Sequence, residues 1–231
     1  MKRLAVLTGA GVSAESGFQT FRDSGGLWEQ YDVNDVASHE GWYRNRKLVL
    51  DFYNGLRVQL RDAKPNRAHE IIAELEKRFK VDVITQNVDN LHERAGSTHV
   101  VHLHGELTKV RPETGIYDNT GSEKEVIDVG YNAVNLGDVA PNGSQLRPHI
   151  VFFGESVPKI EEAINLVEKA DILLIVGSSL QVYPAAGLYR YAGPETPIYV
   201  IDPKPVSIYD PRVTMITDVA TKGMAKFAEM V

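Results

Sequence analysis

The chain has 231 residues, a formal net charge of −6 at pH 7 and an apolar fraction of 43%, which suits one large domain with a smaller insertion. The acidic balance leaves no basic surplus to neutralise phosphates and argues against nucleic acid as a partner. Cysteine is absent, which excludes disulfides and thiolate metal sites and fits a cytoplasmic setting, and the first apolar run stops at Thr8-Gly9, too short for a membrane span.

In chain order, the first predicted element is a strand over residues 4–8 that empties into Gly9-Ala10-Gly11-Val12-Ser13-Ala14, a turn of GxGxxA spacing. Glycines at 9 and 11 present no Cβ to a diphosphate, and a helix starting near Ser13 would aim its free N–H groups at the anion. A tight turn without a ligand is the alternative, because no acidic residue ends a second strand about 20 positions on. A helix is expected over about 46–61, and Asn66 offers an N-cap to another that carries Ile71, Ile72 and Leu75 on one side. Further strands are read at 81–85, 100–104, 150–153, 172–177 and 198–202, and residues 159–170 show a helical apolar face of Ile160, Ala163, Ile164 and Val167.

This alternation predicts an α/β fold, a doubly wound parallel sheet covered by helices on both sides, with ligands at the carboxyl ends of its strands. Residues of about 31–65 and 105–147 break the pattern and are assigned to a small inserted lobe; about 1–30, 66–104 and 148–231 form the large one. Two strand ends are rich in chemistry. One runs into Gln86-Asn87-Val88-Asp89-Asn90 and the other into His104-Gly105-Glu106, so a phosphate cradle, an amide–carboxylate pair and a histidine would share one rim, as expected of an active site.

Five segments, GAGVSAESGFQTFR (9–22), TQNVDNLHERAG (85–96), HLHGEL (102–107), RPHIVFFGE (147–155) and GSSLQVYPAA (177–186), resemble in content and order the signature blocks of sirtuins, NAD-dependent protein lysine deacylases. The resemblance covers nearly the whole chain from Leu4 and implies a Rossmann-like large lobe. It also implies a reaction in which the nicotinamide–ribose bond breaks, the ribose carbon passes to the acyl oxygen of a modified lysine, and free lysine and O-acyl-ADP-ribose are formed. Gly9, Ala10, Gly11, Ala14, Glu15, Arg22, Gln86, Gly177, Ser178 and Ser179 would then hold the cofactor. Phe21 would shield the ribose carbon, Asp89 hold the nicotinamide amide, and Asn87 position ribose or a water. Where the resemblance implies an asparagine for the adenosine ribose stands Asp202, which would accept ribose hydroxyls and disfavour a 2′-phosphate, so NAD is expected over NADP. His104 is the expected general base, because a neutral imidazole can take a proton from a ribose hydroxyl at physiological pH. A metal site at His99, His102 and His104 is disfavoured, since no carboxylate or cysteine completes the set.

The acyl-lysine channel would be lined by Val151, Phe152, Phe153, Gly154 and Glu155 on one side and by Leu180, Val182 and Pro184 on the other; a buried strand is the bland alternative for the first run. Ala37, Tyr53, Leu56 and Arg57 would surround the acyl group. In the desuccinylase and demalonylase branch of the family an arginine stands three residues after the tyrosine; here that place is Leu56 and the arginine comes one step later. A neutral acyl group is therefore expected. Many sirtuins hold a structural zinc through two cysteine pairs, and this chain has none: Pro112 follows Lys109-Val110-Arg111, where the first would stand. The lobe would instead be packed by Leu107, Ile116, Val126, Ile127 and Tyr131, without zinc. Mono-ADP-ribosyl transfer to protein and a pure NAD-binding module are the rivals, and a monomer acting on acyl-lysine proteins is expected, with no nucleic acid or membrane partner.

Overall fold

A computed structural model of the chain describes residues 1–18, 31–113, 125–206 and 208–231, so Phe21, Arg22 and Ile116 lie outside the described residues. The described strands are β1 (Arg3–Thr8), β2 (Lys80–Thr85), β3 (Val100–His102), β4 (Gly105–Pro112), β5 (Ile127–Asp128), β6 (Leu146–Ile150), β7 (Ile172–Val176), β8 (Ile198–Ile201) and β9 (Val213–Ile216). The described α-helices are α1 (Val33–Val36), α2 (His39–Arg44), α3 (Arg46–Asp62), α4 (Arg67–Glu74), α5 (Leu91–Ala95), α6 (Ile160–Glu168) and α7 (Ala220–Met230).

Six strands form one sheet in the order β3-β2-β1-β7-β8-β9, and every neighbouring pair is parallel. Strands such as Ile172–Val176 read as unbroken apolar runs because helices cover both faces. Side chains alternate between two cores: Leu4, Val6, Val83 and Leu174 pack with Ile72 of α4 and Phe227 of α7, while Ala5, Leu7, Ile84 and Leu173 pack with Ala163 and Val167 of α6. The chain winds outward from β1 to β3 on one side and from β7 to β9 on the other. The order therefore reverses between β1 and β7, the place where such sheets open a crevice for ligands.

A second, antiparallel sheet of order β5-β4-β6 packs with α3 around a third core that includes Trp42, Leu50, Tyr53, Leu56, Leu107 and Phe152. Helix α3 starts where the Asn45 side chain accepts the Leu48 N–H, and α4 where Asn66 accepts from Ala68 while the His69 ring accepts the Asn66 N–H. The Asn66 amide also donates to the Val12 carbonyl, tying α4 to the glycine turn.

Four expectations need correction. No α-helix starts at Ser13; two 3₁₀ turns, Ala10–Val12 and Ala14–Ser16, follow β1, and Gly17 takes a left-handed φ of 73°. The strand expected over 100–104 stops at His102; Gly105, at φ 84°, turns the chain into β4. The run 150–153 is not a strand of the large sheet. Its first residue ends β6 of the small sheet, and Phe153 makes only a parallel bridge to Ser38. In the small lobe Leu107 is buried and Tyr131 half-buried against the core, but Ile127 is an exposed residue of the edge strand β5. Periodicity could not find β4, β5, β6 or β9, which are short or alternate in burial.

Candidate active site

Gly9 and Gly11 stand at the carboxyl end of β1, against Gly177 at the end of β7. A Cβ on Gly9 would lie 2.7 Å from the Gly177 carbonyl oxygen, and one on Gly11 the same 2.7 Å from the Gly177 Cα. Glycine is thus required here for backbone-to-backbone packing across the switch point, whatever else the turn accommodates. The Gly9 N–H donates to Val176 O at 3.0 Å and the Gly11 N–H to Gly177 O at 2.9 Å, and Gly177 itself has φ 60°. The two small-residue turns, 9–11 and 177–179, therefore form one continuous floor.

The loop after β2 is fixed onto that floor. The Gln86 amide donates to Ser178 Oγ at 3.0 Å; Asn87 Nδ2 donates to Gly9 O and to Ser13 Oγ, each at 3.2 Å. Ser13 Oγ in turn donates to Asp89 Oδ2 at 3.0 Å, and the other Asp89 oxygen accepts the Leu91 N–H at 3.0 Å. Burial pushes the Asp89 carboxyl above its usual range, while the Leu91 N–H and the Ser13 hydroxyl restrain the rise. His69 approaches Ser13 Oγ through Nε2 at 3.5 Å. Its Nδ1 accepts from Asn66, so Nε2 carries the proton, and burial lowers its pKa to about 4. Beneath lies a second set, in which Thr8 Oγ1 donates to Thr85 Oγ1 and contacts His92 Nε2 at 3.0 Å.

His104 closes the rim from the far side. Its Nδ1 lies 3.0 Å from Gln86 O. A carbonyl oxygen only accepts, so Nδ1 is the protonated nitrogen and Nε2 keeps a lone pair. Burial pulls its pKa below the ordinary histidine value, with the Gln86 carbonyl acting the other way, which keeps the ring neutral at pH 7.

The residues expected to touch substrate fall into two groups. The Phe153 N–H donates to Ala37 O at 2.8 Å and the His39 N–H to Phe153 O at 3.1 Å, so Ala37 lies beside this segment. Val151 N–H donates to His104 O at 3.0 Å, which fixes the segment to the histidine. Tyr53, Leu56 and Phe152 are buried together in the small-lobe core, with the Tyr53 and Phe152 rings 5.9 Å apart, whereas Phe153 is 52% exposed. Arg57 bridges α3 to β4, its Nε donating to Leu107 O and Nη1 to Asn54 Oδ1, both at 2.8 Å. The Glu155 carboxylate is occupied: it accepts Arg147 Nη1 at 2.6 Å, Arg111 Nη2 at 3.3 Å and the Phe152 N–H at 2.9 Å, so it shapes the turn at Gly154 and does not stand free toward a ligand. Leu180, at a left-handed φ of 51°, packs against the α6 core, and the Val182 carbonyl accepts from Ala186.

Glu15 lies away from this rim, its carboxylate accepting the Thr221 N–H at 3.0 Å and hydroxyl at 2.8 Å at the start of α7. Asp202 follows β8 and accepts the Lys204 N–H. Sequence reasoning missed Ser13 and His69, which join Asn87 and Asp89 across separations of 56 to 76 residues that no local pattern reveals. The one available signal was His69 three places after the N-cap Asn66. Among the described residues, no group of three or more histidine or acidic side chains is gathered to hold a metal ion, and no helix is long and apolar enough to cross a membrane.

The arrangement suits a dinucleotide: a glycine floor at the reversal point of a parallel sheet, buried amide and carboxylate groups above it, and an acidic residue at the end of the next strand but one. Comparison with known proteins agrees. The profile of the Sir2 family matches residues 9–184. An NAD-dependent protein deacylase of Bacteroides thetaiotaomicron is 55% identical over 231 residues, covering 100% of this chain and 98% of that protein. One of Helicobacter pylori is 52% identical over 225 residues, covering 97% and 95%. The crystal structure of a Sir2 homologue in complex with NAD superposes with a TM-score of 0.84 at 35% identity, covering 99% of this chain and 89% of that one. With the matched span running from the glycine turn through Pro184 and relatives more than half identical over nearly their whole length, the chain belongs to the Sir2 family.

Proposed function

We infer that this protein is an NAD-dependent protein lysine deacylase whose preferred substrates carry acetyl or another neutral acyl group. The observation that carries the reading is the convergence of a neutral histidine, His104 with a free Nε2, and the Asn87–Ser13–Asp89 network on the glycine floor between β1 and β7. NAD, when bound, supplies a ribose carbon whose bond to nicotinamide breaks and to which the acyl oxygen becomes joined. The floor formed by the small-residue turns at 9–11 and 177–179 leaves room for its diphosphate, and Asp202 suits the hydroxyls of its adenosine ribose. Asp89, held by Ser13 and the Leu91 N–H, presents a fixed carboxylate to the nicotinamide amide. Asn87 orients the ribose, and His104 Nε2 takes a hydroxyl proton once the acyl group is engaged.

The segment from Val151 to Gly154 supplies backbone for an extended peptide, with exposed Phe153 beside the acyl-lysine entry. Leu56, buried next to Tyr53, favours an uncharged acyl group over a carboxylate. On this reading the small lobe needs no zinc, a view supported among the described residues by the Asn54 amide, which exchanges two hydrogen bonds of 2.9 Å with the Val134 backbone, and by Gln145 Nε2, which donates to Asn135 O, Asp138 O and Leu146 O.

Mass spectrometry of the products from NAD and an acetyl-lysine peptide tests the reading. Deacylated peptide with O-acetyl-ADP-ribose supports it; ADP-ribosylated protein, or binding of NAD with no product, replaces it with one of the two rivals.

A further inference from the structure

We propose that His102 is a positioning residue for this chemistry: held between Glu93 and Asn87, its imidazolium fixes the backbone of the 86–90 loop, and loss of a ring proton releases the loop and ends turnover at alkaline pH. The inference rests on the deacylase reading for its activity arm and on the ring's geometry and surrounding charges for its structural arm.

His102 Nε2 lies 2.7 Å from Glu93 Oε1 and Nδ1 lies 3.1 Å from the Asn87 carbonyl oxygen. Its side chain is 7% exposed. A carbonyl oxygen only accepts. The Glu93 carboxyl, although burial acts to raise it, is drawn below its ordinary range by the His102 hydrogen bond and charge and, independently of that ring, by its own backbone N–H and by Lys109, so at neutral pH it too is an acceptor. Both ring nitrogens therefore need a proton, and only the imidazolium satisfies both.

The charges around the ring agree. Glu93 on α5 and Glu106 on β4 attract the cation, Lys109 bonded to Glu106 at 2.8 Å and neutral His92 on α5 do not, and buried Asp89 stands on the loop itself. Burial acts to lower the His102 pKa, and Glu93, Glu106 and the Asn87 carbonyl together overcome it, for a net rise.

Two histidines that follow one another at alternate positions thus grip consecutive carbonyls of the same loop, neutral His104 at Gln86 and cationic His102 at Asn87. One must be neutral to act as a base. The other must be charged to hold both of its partners. When His102 loses a proton, the carboxylate keeps the Nε2–H and the Nδ1 lone pair then faces the carbonyl lone pair. The Asn87 peptide, whose side chain spans Gly9 O and Ser13 Oγ, is freed. The imidazolium also helps to keep Asp89 ionised, since it acts against the effect of burial there.

Nitrogen-15 NMR of the labelled full chain reads the ring directly, and pH profiles of kcat/KM for NAD read its consequence. The expected result is two protonated ring nitrogens on His102 at neutral pH, a midpoint above the ordinary value of 6.5, and an alkaline limb of activity that follows that midpoint. In Glu93→Gln, both the NMR midpoint and the alkaline limb move down by about 1–3 pH units, as loss of an adjacent opposite charge requires. In His102→Gln the limb disappears and kcat/KM for NAD falls about tenfold at every pH, a loss typical of mispositioning in a site that is otherwise intact. A His102 midpoint at or below 6.5, or an alkaline limb that stays in place in Glu93→Gln, overturns the proposal. Failure of the wild type to act on any acyl peptide would instead sink the deacylase reading, and the NMR titration would still decide the state of His102.

Discussion

In the substrate pose proposed above, a succinyl group in place of acetyl on the substrate lysine would set a carboxylate against Tyr53 and Leu56. Both side chains are buried in the small-lobe core, 2% exposed each. The nearest arginine on α3, Arg57, already donates to Leu107 O and Asn54 Oδ1 at 2.8 Å, and only its Nη2 is buried without a partner. The carboxylate would thus forgo a bidentate, charge-assisted pairing worth about 1.5–3 kcal/mol. At about 1.4 kcal/mol per factor of ten, kcat/KM on succinyl-lysine should be about tenfold to a hundredfold below that on acetyl-lysine. Initial rates on two peptides identical except for the acyl group measure this ratio. Leu56→Arg, placed three residues after Tyr53, should move the preference toward succinyl. A wild type that prefers succinyl-lysine, with that preference abolished in Arg57→Gln, would refute the reasoning and show that Nη2 reaches the acyl group.

His104→Ala should lower deacylation by about 10²–10⁴-fold while leaving NAD affinity, measured by calorimetry, little changed, because the base acts after cofactor capture. The acid limb of kcat/KM in the wild type should fall below pH 6.5, since burial depresses the His104 pKa and the ring stays neutral to lower pH. Stability should decline on acidification: His69 binds its proton near 6.5 when unfolded but only at about 4 when folded. The unfolded state then holds more protons across that window, and about 3 kcal/mol is lost as pH falls through it, measurable by urea denaturation. The purified protein should contain no stoichiometric zinc, and chelators should leave its Tm unchanged; elemental analysis finding one equivalent would overturn the zinc-free account of the small lobe.

The large lobe is legible where its buried parallel strands are apolar runs bounded by glycine or polar residues, where Asn66 caps α4 and where α6 shows an apolar face; α7, which has no side-chain N-cap, is not announced. Asn87, Asp89 and His104 could be placed at one rim because strand ends in such sheets lie side by side. What stayed hidden was set by contacts without local periodicity. The turn after β1 coils as 3₁₀ where an α-helix was expected, because its backbone packs against Gly177. The segment after β6 reads as an apolar strand, yet it is shaped by Glu155 folding back onto Phe152 N and two arginines. Arg57, expected near the acyl group, is instead fully buried between α3 and β4, its Nε and Nη1 taken up by Leu107 O and Asn54 Oδ1, contacts that no local pattern reveals.

In the proposed function, cleavage of NAD is coupled to removal of the acyl group from lysine at the rim between β1 and β7. The most direct measurement is simultaneous quantification of nicotinamide and deacylated peptide during turnover of the wild-type chain with NAD and acetyl-lysine peptide. Equal amounts of the two products, with nicotinamide release dependent on the acyl peptide, are predicted. Nicotinamide released at the same rate without acyl peptide, or peptide deacylated without NAD, would contradict it.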